Sequence, residues 1–276
     1  MKKILHLFLG LMLLCFVSGN KILELTSRNL ITIRGPIQGT STTNWINQIN
    51  DRDPDADTIY LYLSSPGGSV LEGNKIIDQI KTMEMAGVNV VCVADFAASM
   101  AFVILQACQK RTALPSSVLM QHQMSLGLEG PIENINNYLD FIQQIRVNLE
   151  LMQADRLNMT VDQFQKKIVN DWWIPGYNAK NASVIDDLVM VKCSKEIIAK
   201  KDKISVNTLF GTIEISYSKC PIARQPLDIK MVDFNNKFSV EEIEHLIKDY
   251  IPSIWLKNYY SDFSRKSRNS NDIISF

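Results

Sequence analysis

From residue 29 to residue 34 apolar and polar side chains alternate (Asn-Leu-Ile-Thr-Ile-Arg), the period of a half-buried strand, and Gly35-Pro36 ends the run. Residues 42–50 place Trp45, Ile46 and Ile49 at helical spacing, so a helix follows the strand. Residues 51–57 hold four aspartates and a proline and read as a surface loop, and residues 58–63 read as a short strand. The unit then repeats. Residues 69–85 offer Val70, Ile76, Ile77 and Ile80 to a buried face, and residues 88–93 are apolar except for Asn89, as in a parallel strand covered on both sides. Residues 97–107 carry no breaker and predict a buried helix; residues 118–121 predict a fourth strand. A break at 127–131 precedes a long amphipathic pattern over 132–157, and Thr160 with Gln163 forms a capping box for a further helix to about Asn170. Strands alternating with helices predict an α/β domain with parallel strands.

The two ends differ from this middle. Lys2 and Lys3 precede an apolar run from Leu7 to Val17, and Val17-Ser18-Gly19 offers a small-residue cleavage site, the layout of a signal peptide over residues 1–19. The run is shorter than the roughly 20 residues a spanning helix requires, so export is expected, with an uncleaved N-terminal anchor as the alternative. Leu14 is too bulky for the position before a lipoprotein cysteine at Cys15. Near Lys200 the composition turns basic, with Lys195, Lys200, Lys201 and Lys203 close together. Beyond lie a predicted hairpin over 204–217, a Pro-interrupted loop, a helix opened by Ser239 with Glu242, and a polar tail over 264–272 that is expected to lack order. The division is therefore a signal segment over 1–19, an α/β domain over 20–199 and an appended α+β region over 200–276.

With 276 residues, 46% of them hydrophobic, the chain can build one sizeable core plus an extension. Basic and acidic side chains balance at 29 each, which gives no electrostatic reason for nucleic acid or an anionic membrane as partner. Beyond the signal segment, Cys92, Cys108, Cys193 and Cys220 lack the close pairs that metal sites use, and no metal or cofactor is expected. Cys92 and Cys108 read as small core residues, whereas Cys193 and Cys220 are a candidate disulfide in an oxidising compartment.

Chemistry is expected at the carboxyl ends of the strands. There Ser65-Pro66-Gly67-Gly68-Ser69 follows a strand and opens a helix, and adjacent glycines let the backbone approach a substrate and aim N–H groups at developing charge; the bland reading is a tight turn. Ser99, in Ala97-Ala98-Ser99-Met100-Ala101, starts a buried helix and alone would be read as an N-cap. A nucleophile requires a base within reach. Of three histidines, His6 lies in the signal segment and His245 in the appended region, which leaves His122, at the end of the strand 118–121. An imidazole of ordinary pKa, about 6.5, takes a serine proton at neutral pH. The orienting carboxylate is left open by the pattern among Asp140, Asp155, Asp162, Asp171 and Asp186.

Taken together, the decapeptide at residues 59–68 ending in Ser-Pro-Gly-Gly, Ala97-Ala98-Ser99-Met100, Leu114-Pro115-Ser116-Ser117 with Met120-Gln121-His122-Gln123, and Asp171-Trp172-Trp173 followed by residues 179–186 resemble the ClpP family of serine proteases, from about Ile31 to Val191. The resemblance implies Ser99 as nucleophile, His122 as base, Asp171 as orienting acid, and Gly68 and Met100 as oxyanion-hole amides. It implies a crotonase-like fold of repeated ββα units, with residues 132–157 as the long handle helix that joins subunits into homo-oligomeric rings. Peptide or unfolded protein is the implied substrate, held at Gly67, Ser125, Leu126 and Gly127, with the strand-like segment 125–129 pairing to it. Asp95 and Ala101 stand where the family usually has Gly, and Met124 where it has Pro. The short leader to the first strand and an exported location argue against an ATPase partner. Three other readings are weighed: a serine–lysine protease of the signal peptide peptidase kind, an inactive scaffold, and an acyl-CoA enzyme of the crotonase type. His122 disfavours the first, the intact set of polar residues the second, and the lack of a carboxylate pair the third.

Overall fold

The computed structural model describes residues 21–208, 211–223 and 226–234. The expected signal segment, the helix predicted at Ser239, His245 and the polar tail lie outside the described residues.

Ten strands and seven helices are described: β1 (Lys21–Leu25), β2 (Leu30–Arg34), α1 (Gly39–Asn50), β3 (Thr58–Ser65), α2 (Val70–Met85), β4 (Asn89–Ala98), α3 (Met100–Ala107), β5 (Lys110–Gln121), α4 (Ile132–Arg156), α5 (Val161–Ile168), β6 (Trp172–Pro175), α6 (Gly176–Ala179), β7 (Asp187–Cys193), α7 (Lys195–Ala199), β8 (Lys201–Thr208), β9 (Gly211–Ser218) and β10 (Pro226–Phe234). A seven-stranded sheet runs β1-β7-β5-β4-β3-β2, every neighbouring pair parallel, with β6 added antiparallel to β5. The α/β expectation with a mostly parallel sheet is met. Ser69 caps α2 by accepting the Glu72 N–H at 3.3 Å, and Thr160 with Gln163 makes the capping box read from sequence, closing the first turn of α5.

Alternation along the central strands divides the core in two. Ile59, Leu61 and Leu63 of β3 meet Ile76 and Ile80 of α2 and the wholly buried α3 in the main cluster. On the other face Tyr62, Val91 and Val93 pack with Leu23, Leu25 and Val189, and Cys220 from beyond β9 closes over them. The Cys193–Cys220 disulfide and the Arg34 guanidinium, which donates to the Pro221 carbonyl at 3.3 Å, tie that segment down.

Several sequence expectations are corrected. β4 continues through Ala97 and Ala98, so α3 starts only at Met100; strand pairing with Leu119 and Met120 overrides the helix propensity of the alanines. β1 and β6, not read as strands, are recruited by pairing to β7 and β5. The Pro-interrupted loop of the appended region contains β10, which joins β8 and β9 in a separate antiparallel sheet. Cys92 and Cys108 are core residues, as expected, but form a second disulfide rather than remaining thiols.

β5 has an irregularity that matters for the site. Its first residues pair with β7 (Thr112–Asp187, Ala113–Leu188), and Val118 to Gln121 pair with β6 on the same edge. The change of partner occurs across Leu114-Pro115-Ser116-Ser117, where Pro115 lacks a ladder donor. Gly176 sits against this segment, and a Cβ there would collide with Leu114 O and Ser117 Oγ.

Candidate active site

Ser99 is the single residue between β4 and α3, with φ 58° and ψ −125°. A non-glycine residue at positive φ costs about 1–3 kcal/mol and persists only where its surroundings impose it. Here they are explicit: the Ser99 N–H donates to Met120 O at 2.9 Å, and its carbonyl accepts from Phe102 and Val103 N–H at 2.9 and 3.2 Å. Gly67 (φ +89°) backs the same elbow: a Cβ would lie 2.6 Å from Ala98 O and 2.7 Å from Met100 N and from Ser99 Cβ. Ser99 itself is 1% exposed.

Gly68 forms a parallel bridge with Ile37. Ile37 N–H donates to Gly67 O and Ser69 N–H donates to Ile37 O, both at 2.8 Å, so the N–H of Gly68 faces away from Ile37, as alternation along an extended strand requires. The Met100 N–H heads α3, where the first amides have no intrahelical acceptor. Both amides expected for an oxyanion hole therefore belong to segments built around Ser99.

His122 follows β5, half-buried, and its N–H donates to Gln121 Oε1 at 3.1 Å. Because Ala98 pairs with Met120 in parallel register, Ser99 and His122 leave adjacent strands at the same edge. Asp171 precedes β6. The β5–β6 pairs descend from Val118–Pro175 to Gln121–Trp172, and the next position in that register sets His122 against Asp171. Trp172 anchors the segment: its ring lies 6.2 Å from that of Phe102 in α3, and Lys167 Nζ lies over the Trp172 ring, 5.2 Å from its centroid. Asp171 is exposed.

The other candidate acids are engaged or exposed elsewhere. Asp186 is bound to Arg111, Asp162 pairs with Lys166, and Asp140 and Asp155 are exposed on α4. Burial works to raise the Asp186 pKa, but the Arg111 side chain, the Arg111 N–H and the charges of Arg111 and Arg156 together hold it below its usual value. Of the expected substrate-contact residues, Gly67 underlies the elbow, while Ser125, Leu126 and Gly127 lie in an irregular segment before α4. Within residues 125–129 Ser125 makes a single backbone bridge and residues 126–129 join no strand of the chain. Among the described residues no group of three or more His, Cys, Asp or Glu could hold a metal ion.

The family model for Clp protease matches residues 18–192, which takes in both glycines, Ser99, His122 and Asp171. The chain belongs to the Clp protease family. It is similar to the ATP-dependent Clp protease proteolytic subunit 1 of Streptomyces coelicolor, 34% identical over 140 residues, which are 50% of this chain and 62% of that protein. It is also similar to the ATP-dependent Clp protease proteolytic subunit 3 of Streptomyces avermitilis, 36% identical over the same shares. The match thus spans less than two thirds of these relatives' length.

Within this Clp-family site, sequence reasoning passed over two side chains, Gln121 and Gln153, both wholly buried. A polar residue ending an apolar strand was the available signal for the first; nothing in the pattern of α4 marked the second. Asp95, noted only as a departure, is a buried acid at a bulge where β4 shifts register against both β3 and β5.

Proposed function

We propose that this chain is a serine endopeptidase in which Ser99 attacks the peptide carbonyl, His122 takes its proton and passes it to the leaving amine, and water resolves the acyl-enzyme. Asp171 holds the imidazole in the productive tautomer, and the amides of Gly68 and Met100 receive the oxyanion. The observation that carries this reading is the bond from the Ser99 N–H to Met120 O, which locks the elbow to the strand that His122 follows. Membership of the Clp family supports it independently.

An exported, ATP-independent enzyme is the reading for location. The signal-like N-terminus supports it, as do the Cys92–Cys108 and Cys193–Cys220 disulfides, which belong to oxidising compartments. Assembly into homo-oligomeric rings is supported by α4, which exposes Ile132, Leu139, Phe141, Val147 and Leu151 along its length. Unfolded protein or peptide is the substrate.

The test is treatment of the purified chain with a fluorophosphonate probe, with the adduct located by peptide mass. Labelling of Ser99 that is lost in His122→Ala supports the activated serine; a folded, assembled protein that does not label is an inactive scaffold.

A further inference from the structure

Gln121 and Gln153 are each 0% exposed, and their carboxamides form one directional chain. Gln121 Oε1 accepts the His122 N–H at 3.1 Å, Gln121 Nε2 donates to Gln153 Oε1, and Gln153 Nε2 donates to Leu149 O at 3.0 Å, one turn back in α4. The two ends leave no choice of orientation. A backbone N–H can only donate, which turns the oxygen of Gln121 toward His122; a carbonyl can only accept, which turns the nitrogen of Gln153 toward Leu149. The middle bond then has one possible sense.

This pair is a costly way to fill a core. Two buried amides forfeit hydration, and the bond between them could be replaced by apolar side chains of the same shape at little or no cost. What the pair supplies is at His122. The parallel ladder with β4 ends at Ala98–Met120, so the amide of His122 is taken up by a side chain instead. The base is thereby referred to the long helix as well as to its strand.

We infer that Gln121 and Gln153 are positioning residues that set the backbone of His122 relative to Ser99 through α4. The inference rests on the serine peptidase reading of the site. Neither glutamine touches the reacting atoms, and neither titrates.

The test compares the wild-type chain with the paired variant Q121L/Q153L by the rate at which a fluorophosphonate labels Ser99, measured across pH, alongside thermal unfolding. Misplacement of a base by as little as 1 Å costs about 10²-fold, so the plateau rate is expected to fall by about tenfold to a hundredfold. The midpoint of its pH dependence stays in place, and the unfolding temperature falls by no more than the loss of one hydrogen-bond acceptor for the His122 N–H accounts for. A merely structural pair leaves the plateau untouched, so a variant that labels within about twofold of wild type overturns the inference. If the leucine pair does not fold, Q121M/Q153M makes the same comparison with unbranched side chains; failure of both to fold assigns the pair to the core and overturns the positioning role. Absence of Ser99 labelling in the folded wild type removes the peptidase reading and this inference with it, whereas equal labelling of wild type and variant removes only the inference.

Discussion

Asp171 stands at the position opposite His122 where the antiparallel β5–β6 ladder runs out, one step beyond the Gln121–Trp172 pair. The relationship depends on β5 exchanging β7 for β6 at Leu114-Pro115-Ser116-Ser117, because only then does a strand arriving from α5 deliver its preceding residue to the end of β5. An acid brought in by ladder register is placed by backbone hydrogen bonds rather than by its own side-chain contacts.

Asp171→Asn is accordingly expected to leave the fold intact and to slow fluorophosphonate labelling of Ser99. Loss of the corresponding acid in a buried triad costs about 10⁴-fold, and with Asp171 exposed to solvent the expected loss is smaller, about 10²-fold. Labelling rates with circular dichroism of both proteins check it; an unchanged rate removes Asp171 from the mechanism.

Gly67→Ala is expected to be damaging twice over. Its Cβ would sit 2.6 Å from Ala98 O at a backbone φ of +89°, so the elbow must move or the loop must. A destabilisation of about 1–3 kcal/mol is expected from overpacking, visible as a lowered urea midpoint, together with loss of Ser99 labelling. Full labelling would show that the elbow does not depend on the glycine loop.

Acid stability should depend on Asp186. Its folded-state pKa lies below the ordinary value, so the carboxylate binds protons less readily folded than unfolded. Its stabilisation is therefore fully present above the unfolded pKa of about 3.9 and is lost as pH falls through the lower folded value. Asp186→Asn is expected to be less stable than wild type at neutral pH, since Arg111 loses a charged partner, and to lose less stability on acidification. Parallel pH–stability curves for the two proteins would rule this out.

The appended sheet is expected to depend on the Cys193–Cys220 bridge, whose closing residues are separated by 27 positions. Cys220→Ser removes a loop constraint of about 3.5 kcal/mol. Limited proteolysis is expected to cut between residues 201 and 234 sooner in the variant while the α/β domain persists; equal cleavage would mean that packing over Tyr62 and Val93 suffices.

Much of the site was legible in the chain. The Ser-Pro-Gly-Gly turn, Ser99 and His122 each follow an apolar strand, and parallel strands bring such ends to one edge, so their convergence could be reasoned from order alone. Asp171 could not be reached that way: it precedes a four-residue strand too short to leave a period, and only resemblance singled it out. Gln121 was visible only as a polar residue in an apolar run, and Gln153 not at all, because their pairing joins positions 32 residues apart.

By itself the sequence determined the alternation of strand and helix, the cap of α5, and the residues chemically able to act, since period, capping and side-chain chemistry are local properties. Tertiary structure decided where β4 ends and Ser99 turns, that β5 changes partner to bring in β6, and that two glutamines link His122 to α4. These depend on which backbone groups find partners across the sheet, and a hydrogen bond between distant segments leaves no period in either one.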